Sequence, residues 1–578
     1  MTNREAPQHD LPALLLSIAQ QRFSRRQLFG MAGSVGLVVA GGVVAESCSS
    51  SRSSPAAAKS AKLRPPGGPV AKLTLASKPV GYPSPFAYFQ GGGFDYTTFI
   101  FDTLIWKDST GYIPWLAQSW SAAPDGTTWT FLLHDHVLWS DGTPLTASDV
   151  AFTFEYLRSL SPEQANIIPG PMPFVANVAT KGNVVTITLT EPYAPFEAKI
   201  GSVPIIPEHI WKGVTNPRED LSPDAVVGSG PYKLASYNET NGSYQFVRND
   251  TFFLGKPVVE ALDFVPTSNS LVGLKVGQLD GGSPGAEDGV PASVLDSFTQ
   301  KPNFAMIKGY GGLTRALFFN MKKGFPYYDV RFRQAIAYGI DREALVERIL
   351  YGQGVPGSLG DLSPANPWFA PGLPTYPYNP ALANRLLDKA GLTKSSAGMR
   401  TLPGGAAFRP VIYTSSADRA ETADLVLNYV RALSIDASIV SLDSASANAT
   451  AANGTYEMML IFYGGIIGDP DTLTEWFAPG EKIYSFVRVH GYDNPTFASL
   501  ADQQVTEANH AKRLAMVHEM QHILAEDVPL LQLYVPNNLW IYRTDVFDSW
   551  YFTPGGVFGG NPGTLNKQVF VTGKKVGL

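Results

Sequence analysis

Alternation of apolar and polar residues marks the start of the folded chain. The segment AKLTLAS, residues 71–77, alternates with a period of two, which is the pattern of a half-buried strand. The segment APDGTTWTFLL, residues 123–133, places a Pro-Asp-Gly turn before alternating Thr, Trp and Phe, which predicts a β-hairpin. The segment NVVTITLT, residues 183–190, alternates again. Strands are therefore expected throughout the first third of the chain.

Helical spacing with capping residues follows the first strands. The segment 146–160 begins with Thr146, a residue that can cap a helix, and Val150, Phe154 and Leu157 then form one apolar face. The same signals predict two helices in residues 329–350 that are capped by Asp329 and Asp341, one in 379–391 and one in 418–433. Because strands and helices mix along the chain without an internal repeat, we expect an α/β or mixed α+β fold class.

The length and charge of the chain indicate a multidomain globular protein and argue against a nucleic-acid-binding one. A chain of 578 residues with 44% hydrophobic content is long enough for three or four domains with well-filled cores. Its formal net charge is -6, and only 16% of its residues are charged. Because nucleic-acid-binding proteins collect lysine and arginine on one face, and the sequence has no such cluster, we expect no nucleic-acid partner.

The N-terminus has the layout of an export signal. Arg25 and Arg26 precede a glycine-rich, mildly apolar run at residues 31–45, as in bacterial twin-arginine signals. This run is too short to span a bilayer. The alternative interpretation is a surface arginine pair before a buried helix. We interpret residues 1–47 as a twin-arginine export signal.

The single cysteine, Cys48, excludes a disulfide framework, a thiolate zinc site and an iron-sulfur cluster. The preceding VVAESC, residues 43–48, resembles a lipoprotein processing box, although Ala45 and Glu46 replace the residues usual there. Residues 48–70 are rich in Ser, Ala, Pro and Gly, and cannot bury enough apolar surface to order themselves. We therefore expect a lipid on Cys48 and a disordered tether after it.

A block of motifs then resembles one known family. The stretch from LAQSW to DVAFTFEYL, residues 116–157, is similar to the signature region of the family 5 extracytoplasmic solute-binding proteins, the dipeptide and oligopeptide receptors of ABC importers. Further matching blocks are PIIPEHIW at 204–211, VGSGPYKL at 227–234, RNDTFFLGKP at 248–257, LKVGQLDGG at 274–282, FFNMKKGFPYYDVRFRQAIAYGIDRE at 318–343 and NPALANRLLDKAG at 379–391. The resemblance therefore covers the chain from about residue 71 to 545.

The resemblance implies a two-lobed fold of the type II periplasmic-binding-protein kind with an extra inserted domain. Two crossover strands join the lobes in this family. Projected onto this sequence, lobe I holds residues 71–94, 201–310 and 531–578, the inserted domain holds 95–200 and lobe II holds 311–530. Such receptors close on a hinge around a ligand and release it unchanged, so we expect a monomer with no cofactor, no metal and no enzymatic activity.

The same resemblance proposes a wall of the ligand cleft in YGGIIGDPD, residues 463–471. Its glycines would let a ligand backbone approach closely. The family's aspartate that binds a ligand ammonium falls at Ile466, three residues before the Asp-Pro pair. Either Asp469 or Asp471 would have to replace it, because a buried ammonium without a partner is costly. The expected ligand-binding residues on this wall are Tyr463, Gly464, Gly465, Ile466, Asp469 and Trp476.

The opposite wall is expected in YPSPFAYFQGGGF, residues 82–94, with Phe89, Gln90 and Gly91 close to the ligand. Aromatic residues on both walls could stack on flat ligands. For Phe89, as for Tyr463 and Trp476 on the other wall, the alternative is an ordinary place in the hydrophobic core.

Other groups of polar residues give only weak signals for a metal site or a catalytic site. His134 and His136 have metal-like spacing, but they fall within the expected inserted domain. The segment 468–472 has too few oxygen ligands for a calcium loop, and no order of Ser, His and Asp suggests a catalytic triad.

The resulting hypothesis is an extracytoplasmic substrate-binding lipoprotein of an ABC importer, held on the outer face of the bacterial membrane. It would capture a peptide or peptide-like solute and deliver it to the permease subunits. Two alternatives stay open at this point. The first is an oligosaccharide receptor of the same family, which the 12% aromatic content also fits. The second is a sensor or regulator that keeps the fold without transport.

Overall fold

The structure is a computed structural model, and it describes most of the chain beyond residue 67. The described residues are 68–77, 79–88, 91–108, 110–161, 164–165, 172, 174–284, 289–310, 313–364, 366–416, 420–464, 468–479, 489–553 and 566–572. The predicted export signal with Arg25 and Arg26, Cys48, the tether up to residue 67, Phe89, Gln90, Gly465 and Ile466 lie outside these ranges.

The strands are β1 Leu73–Ser77, β2 Ile105–Asp108, β3 Gly111–Pro114, β4 Ala117–Ala122, β5 Thr128–Leu133, β6 Val175–Lys181, β7 Val184–Leu189, β8 Tyr232–Asn238, β9 Ser243–Arg248, β10 Ala261–Pro266, β11 Gly281–Gly282, β12 Phe304–Tyr310, β13 Leu313–Phe319, β14 Gly354–Pro356, β15 Val411–Ser415, β16 Ser438–Leu442, β17 Met458–Gly464 and β18 Leu530–Arg543.

The helices are α1 Gly91–Ile100, α2 Ala147–Ser159, α3 Phe196–Lys199, α4 Glu208–Trp211, α5 Ser270–Lys275, α6 Ala292–Thr299, α7 Val330–Gly339, α8 Arg342–Leu350, α9 Pro380–Ala390, α10 Ala420–Ala432, α11 Ser444–Asn453, α12 Asp471–Phe477, α13 Pro495–Thr506, α14 His510–Asp527 and α15 Lys567–Thr572. Across the described ranges, none of the helices has the length and apolar character needed to cross a bilayer.

Among the described residues, twelve strands form one hydrogen-bonded sheet in two halves that share β18. The path is β16-β15-β17-β13-β18-β11-β1-β10-β9-β8, and β12 and β14 also pair with β18. Leu530–Tyr534 of β18 pair with β13, whereas Asn537–Arg543 pair with β12. The chain therefore passes between the two halves twice, once from β12 to β13 and once along β18.

The first half consists of β1 and β8–β12, and α1 packs on it. The Tyr96 ring centroid lies 4.5 Å from that of Phe264 in β10, and that of Phe99 lies 5.5 Å from that of Phe246 in β9. The expected boundary between residues 94 and 95 cuts through this helix. The aromatic side chains of α1 are buried against this half.

A separate antiparallel sheet follows, with strand order β4-β5-β7-β6. It contains the predicted hairpin, in which Ala122 pairs with Trp129, and the strand predicted at 183–190, which is observed as Val184–Leu189. The N-terminus of α2 is capped as expected, because the Thr146 backbone N–H donates to the Asp149 carboxylate at 2.8 Å. The predicted apolar face of α2 is buried. We call this unit the four-stranded layer.

The second half contains β13–β17 with α7–α14 around it. The strands β15, β16 and β17 run parallel, so their carboxyl ends meet at one edge. The predicted caps are present, since the side chains of Asp329, Asp341 and Asn379 each accept a hydrogen bond from a backbone N–H in the first turn of their helices. Gly391 ends its helix in a left-handed conformation.

Candidate functional site

Both predicted walls follow the carboxyl end of a strand. In the first half, β1 ends at Ser77 and residues 79–88 lead towards α1. In the second half, β17 ends at Gly464 and residues 468–470 lead into α12. Open α/β sheets bind ligands in the crevice outside the carboxyl ends of their strands. The topology therefore puts both predicted segments where a ligand site is expected.

The first wall is held by its own aromatic side chains. The Tyr82 hydroxyl donates to the Ser222 carbonyl at 3.0 Å, and the Phe86 ring packs 4.9 Å from the ring of Trp211. Gly93 has no room for a side chain, because a Cβ there would lie 2.6 Å from the Tyr88 Cβ. Predicted Gly91 is the first residue of α1. Tyr82 and Phe86 are thus held against Ser222 and Trp211, and a run of glycines begins α1.

Asp95 follows these glycines after Phe94, and no sequence motif singled it out. Its side chain has intermediate solvent exposure. Burial nevertheless raises the pKa of Asp95 to about 7, and no charged or hydrogen-bonding group opposes this shift.

On the second wall, the Tyr463 and Trp476 side chains pack against each other in the hydrophobic core. Tyr463 is 2% exposed and Trp476 is 8% exposed, and their ring centroids are 4.9 Å apart. The Tyr463 hydroxyl donates to the Asp361 carboxylate, and the Gln532 side-chain amide donates to the same carboxylate at 2.7 Å. Tyr463 of β17 and Gln532 of β18, the two strands that flank β13, thus meet at the Asp361 carboxylate.

Asp469 is paired with a cation of the protein itself. Its two carboxylate oxygens accept hydrogen bonds from the Arg513 guanidinium at 2.9 and 2.5 Å. The same guanidinium lies 4.9 Å from the centre of the Trp368 ring and donates to the Gln504 side chain at 2.9 Å. Because this bidentate pair is nearly buried, Asp469 has little capacity left for a ligand ammonium.

Asp471 faces the four-stranded layer. The Tyr193 hydroxyl donates to its carboxylate at 3.4 Å. Burial raises the pKa of Asp471 to about 7, against the opposing effect of the Lys199 ammonium. Lys199 itself pairs with Glu475 at 3.0 Å.

These contacts join α3 to α12, and a backbone hydrogen bond from Ala194 to Val505 at 2.7 Å extends them to α13. The four-stranded layer and its following segment therefore contact the second half directly. We call this set the interdomain contact.

A lysine and a tyrosine from the β2–β3 hairpin lie near the same carboxylates. The Lys107 ammonium is 5.6 Å from the centre of the Tyr112 ring, and both residues are half-buried. Burial lowers the pKa of Lys107 to about 8, and the charge of Asp469 acts in the opposite direction. Burial also raises the pKa of Tyr112. A cationic group, Lys107, and an anionic group, Asp469, thus lie near one another. Such an environment suits a polar ligand better than an apolar one.

Within the described residues, no cluster of three or more His, Cys, Asp or Glu side chains could hold a metal ion. The His134 ring packs 5.2 Å from the ring of Phe253, and both oxygens of Asp469 are taken by Arg513. His134 is thus engaged in aromatic packing and Asp469 in an ion pair.

Comparison with known proteins gives a family match and a fold match. The family model described as bacterial extracellular solute-binding proteins, family 5 Middle, matches residues 111–485. Protein XP55 of Streptomyces lividans is 28% identical over 471 residues, which is 80% of this chain and 83% of that protein. The dipeptide-binding protein of Escherichia coli is 24% identical over 450 residues, covering 73% of this chain and 81% of that protein.

A solved structure shows the same fold. The oligopeptide-binding protein AppA of Bacillus subtilis, in complex with a nonapeptide, superposes with a TM-score of 0.68 at 19% sequence identity. The match covers 83% of this chain and 95% of that chain. The fold class is accordingly the predicted mixed α/β, two-lobed type II binding-protein fold.

Proposed function

Since the chain belongs to the family 5 bacterial extracellular solute-binding proteins, we propose that it captures a peptide or peptide-like solute by hinge closure. It would then deliver the solute to the permease subunits of an ABC importer. The observation that carries this proposal is that the two predicted walls follow the carboxyl ends of β1 and β17, in two halves of one sheet between which the described chain passes from β12 to β13 and along β18. Two connecting strands are the arrangement that a hinge requires.

The proposed lobes follow the two halves of the sheet. Lobe I comprises residues 71–104, 201–310 and 531–578, which extends the first expectation by including α1. The inserted domain then comprises 105–200, and lobe II comprises 311–530. Closure would be stabilised through the interdomain contact, because Tyr193 and Lys199 meet Asp471 and Glu475 across this boundary.

We further propose that residues 1–47 direct export through the twin-arginine route and that Cys48 carries a lipid. The tether at 48–70 would let the two lobes sample the space above the membrane surface. The sequence pattern supports these proposals, since the arginine pair, the apolar run and the cysteine occur in the order that processing requires.

The ligand class can be decided by thermal unfolding of the full chain in the presence of peptide pools, cello-oligosaccharides or malto-oligosaccharides. A ligand at a concentration 100 times its dissociation constant adds about 2.7 kcal/mol to the free energy of unfolding. A stabilisation of this size raises the melting temperature measurably. We expect the rise with peptides. A rise only with oligosaccharides would contradict the peptide proposal, and no rise with any pool would favour a regulator without transport.

A further inference from the structure

The interdomain contact lies at the edge of a hydrophobic core that the inserted domain shares with the first half of the sheet. Phe131 of β5 and Phe196 of α3 belong to the same buried cluster as Leu75 of β1 and Phe264 of β10. The second half has buried clusters of its own around β13, β15 and β17. Because a continuous core transmits displacement, the inserted domain is expected to move with the first half.

The side chains that meet the second half across this boundary are mainly polar. The Lys199 ammonium lies 3.0 Å from the Glu475 carboxylate, and the Tyr193 hydroxyl donates to the Asp471 carboxylate at 3.4 Å. Polar contacts between domains can separate and form again without opening a core. These groups can therefore part when the hinge opens.

Backbone and turn contacts extend the same boundary. The Ala194 backbone N–H donates to the Val505 carbonyl at 2.7 Å, and the Val505 side chain packs against the core of the first half. Gly126, in the turn between β4 and β5, lies so close to the α13–α14 connection that a Cβ there would be 3.5 Å from the Ala508 Cβ. Three parts of the second half, namely α12, α13 and the α13–α14 connection, thus meet the inserted domain.

The charges on the two sides of the boundary are complementary at Lys199. Arg513 of the second half pairs with Asp469, whereas Glu475 receives its cation from the inserted domain. Burial acts to lower the pKa of Lys199, but the charges of Glu475 and Asp471 raise it overall, so Lys199 remains an ammonium. The side chains of Lys199 and Glu475 are 30% and 32% exposed, which leaves their pairing open to screening by salt.

We propose that the interdomain contact is a salt-sensitive latch in which Lys199, by pairing with Glu475, holds the second half against the inserted domain and slows release of a ligand. This inference rests on the proposed function, because the latch acts on hinge closure. Lys199 and Glu475 bond to each other, so the pair changes affinity through the balance of open and closed forms. A ligand that binds the closed form alone loses apparent affinity as the closed fraction falls.

The first test needs no ligand. Small-angle X-ray scattering of the full chain compares the parent with Lys199→Met, which removes the charge, and with Lys199→Arg, which keeps it. At low salt we expect a larger radius of gyration for Lys199→Met and no change for Lys199→Arg. Added salt should move the parent towards Lys199→Met, because the Debye length falls from about 30 Å at 0.01 M to about 3 Å at 1 M. An unchanged radius in Lys199→Met would overturn the latch.

The second test measures binding of a random tetrapeptide pool to the same proteins by calorimetry. Lys199→Met should bind the pool about fivefold more weakly than the parent, and Lys199→Arg should bind it like the parent. Equal affinities of Lys199→Met and the parent would contradict the latch. If the parent binds no peptide, the proposed function fails, and the scattering comparison still decides whether the latch exists.

A double-variant cycle shows whether the two side chains act as a pair. Glu475→Gln removes the partner from the opposite side and should by itself enlarge the radius and weaken binding, which also covers misfolding of Lys199→Met. Combining the two substitutions should weaken binding no further than Lys199→Met alone, and fully additive losses would overturn the pairing. Glu260→Gln is the matched control, since Glu260 pairs with Arg248 at 3.1 Å within the first half, and it should change neither radius nor affinity.

Discussion

At the scale of single residues, the pairing of Asp469 with Arg513 decides which carboxylates remain for a ligand. Arg513 presents two nitrogens in a plane, which matches the geometry of a carboxylate. The side chains of Arg513 and Asp469 are 5% and 12% exposed, so neither charge is well solvated. The pair therefore acts as part of the framework that holds the segment before α12.

Removing the guanidinium should be costly. Arg513→Met would leave Asp469 ionised and nearly buried without a cation, and we expect the free energy of unfolding to fall by about 3 kcal/mol. Urea denaturation of the free protein measures this change. Arg409→Met removes an exposed arginine that pairs with Asp436 at 2.9 Å, and should change stability by less than about 0.5 kcal/mol. Equal effects of the two substitutions would contradict a framework role for Asp469.

The site was only partly predictable at this scale because its partners are distant along the chain. Arg513 is 44 residues from Asp469, and Gln532 is 171 residues from Asp361. No local pattern reveals such pairs. Asp95 was missed for a related reason, since its lack of a partner is visible only once the surrounding elements are assembled.

At the scale of elements, the connection from β1 to α1 depends on close packing of Gly93 against Tyr88 and Val80. Gly93→Ala would place a methyl group 2.6 Å from the Tyr88 Cβ and 2.9 Å from the Val80 carbonyl oxygen. Because backbone must move to relieve these contacts, we expect a loss of about 2 kcal/mol in the free energy of unfolding.

Thermal or urea unfolding measures the effect, and Gly213→Ala is the control. A Cβ at Gly213 would meet nothing within 4 Å, so the same substitution there should be nearly neutral. If Gly93→Ala were as well tolerated as Gly213→Ala, the first wall would be less tightly packed than described.

Most elements could be predicted from local signals, whereas their arrangement could not. The caps at Thr146, Asp329 and Asn379 and the hairpin at 123–133 all appear in the structure, since each depends on neighbours within a few residues. The span of β18 across both halves of the sheet is set by pairing with β12 and β13, more than 200 residues earlier. Sequence periodicity contains no information on that pairing, and the resemblance supplied the crossovers instead.

At the scale of the whole molecule, three enclosed carboxyl groups make stability depend on pH. Burial raises the pKa of Asp95, Asp361 and Asp471 from 3.8 to about 7 in each case. Between these two pH values the native protein binds more protons than the unfolded chain. The free energy of unfolding therefore falls as the pH rises from about 4 to 7, and the contribution of these groups levels off above the folded-state pKa.

We expect the free protein to lose at least about 2 kcal/mol of stability from these groups between pH 5 and pH 8. The lowered pKa values of His134 and His518 act in the opposite direction below their ordinary value of 6.5. Comparison of urea midpoints for the parent and Asp95→Asn separates the effects, since the histidines are common to both proteins. The variant should show the flatter decline, and parallel profiles would contradict the raised pKa of Asp95.

Hydrogen exchange of the full chain, with and without a saturating peptide pool, tests the central claim most directly. The claim is that one ligand is trapped between the segment 82–94 and the segment 463–471. Slower exchange on adding peptide should appear in both segments together, with further protection at the interdomain contact as the lobes close. Protection confined to one segment, or to regions away from both, would contradict the account.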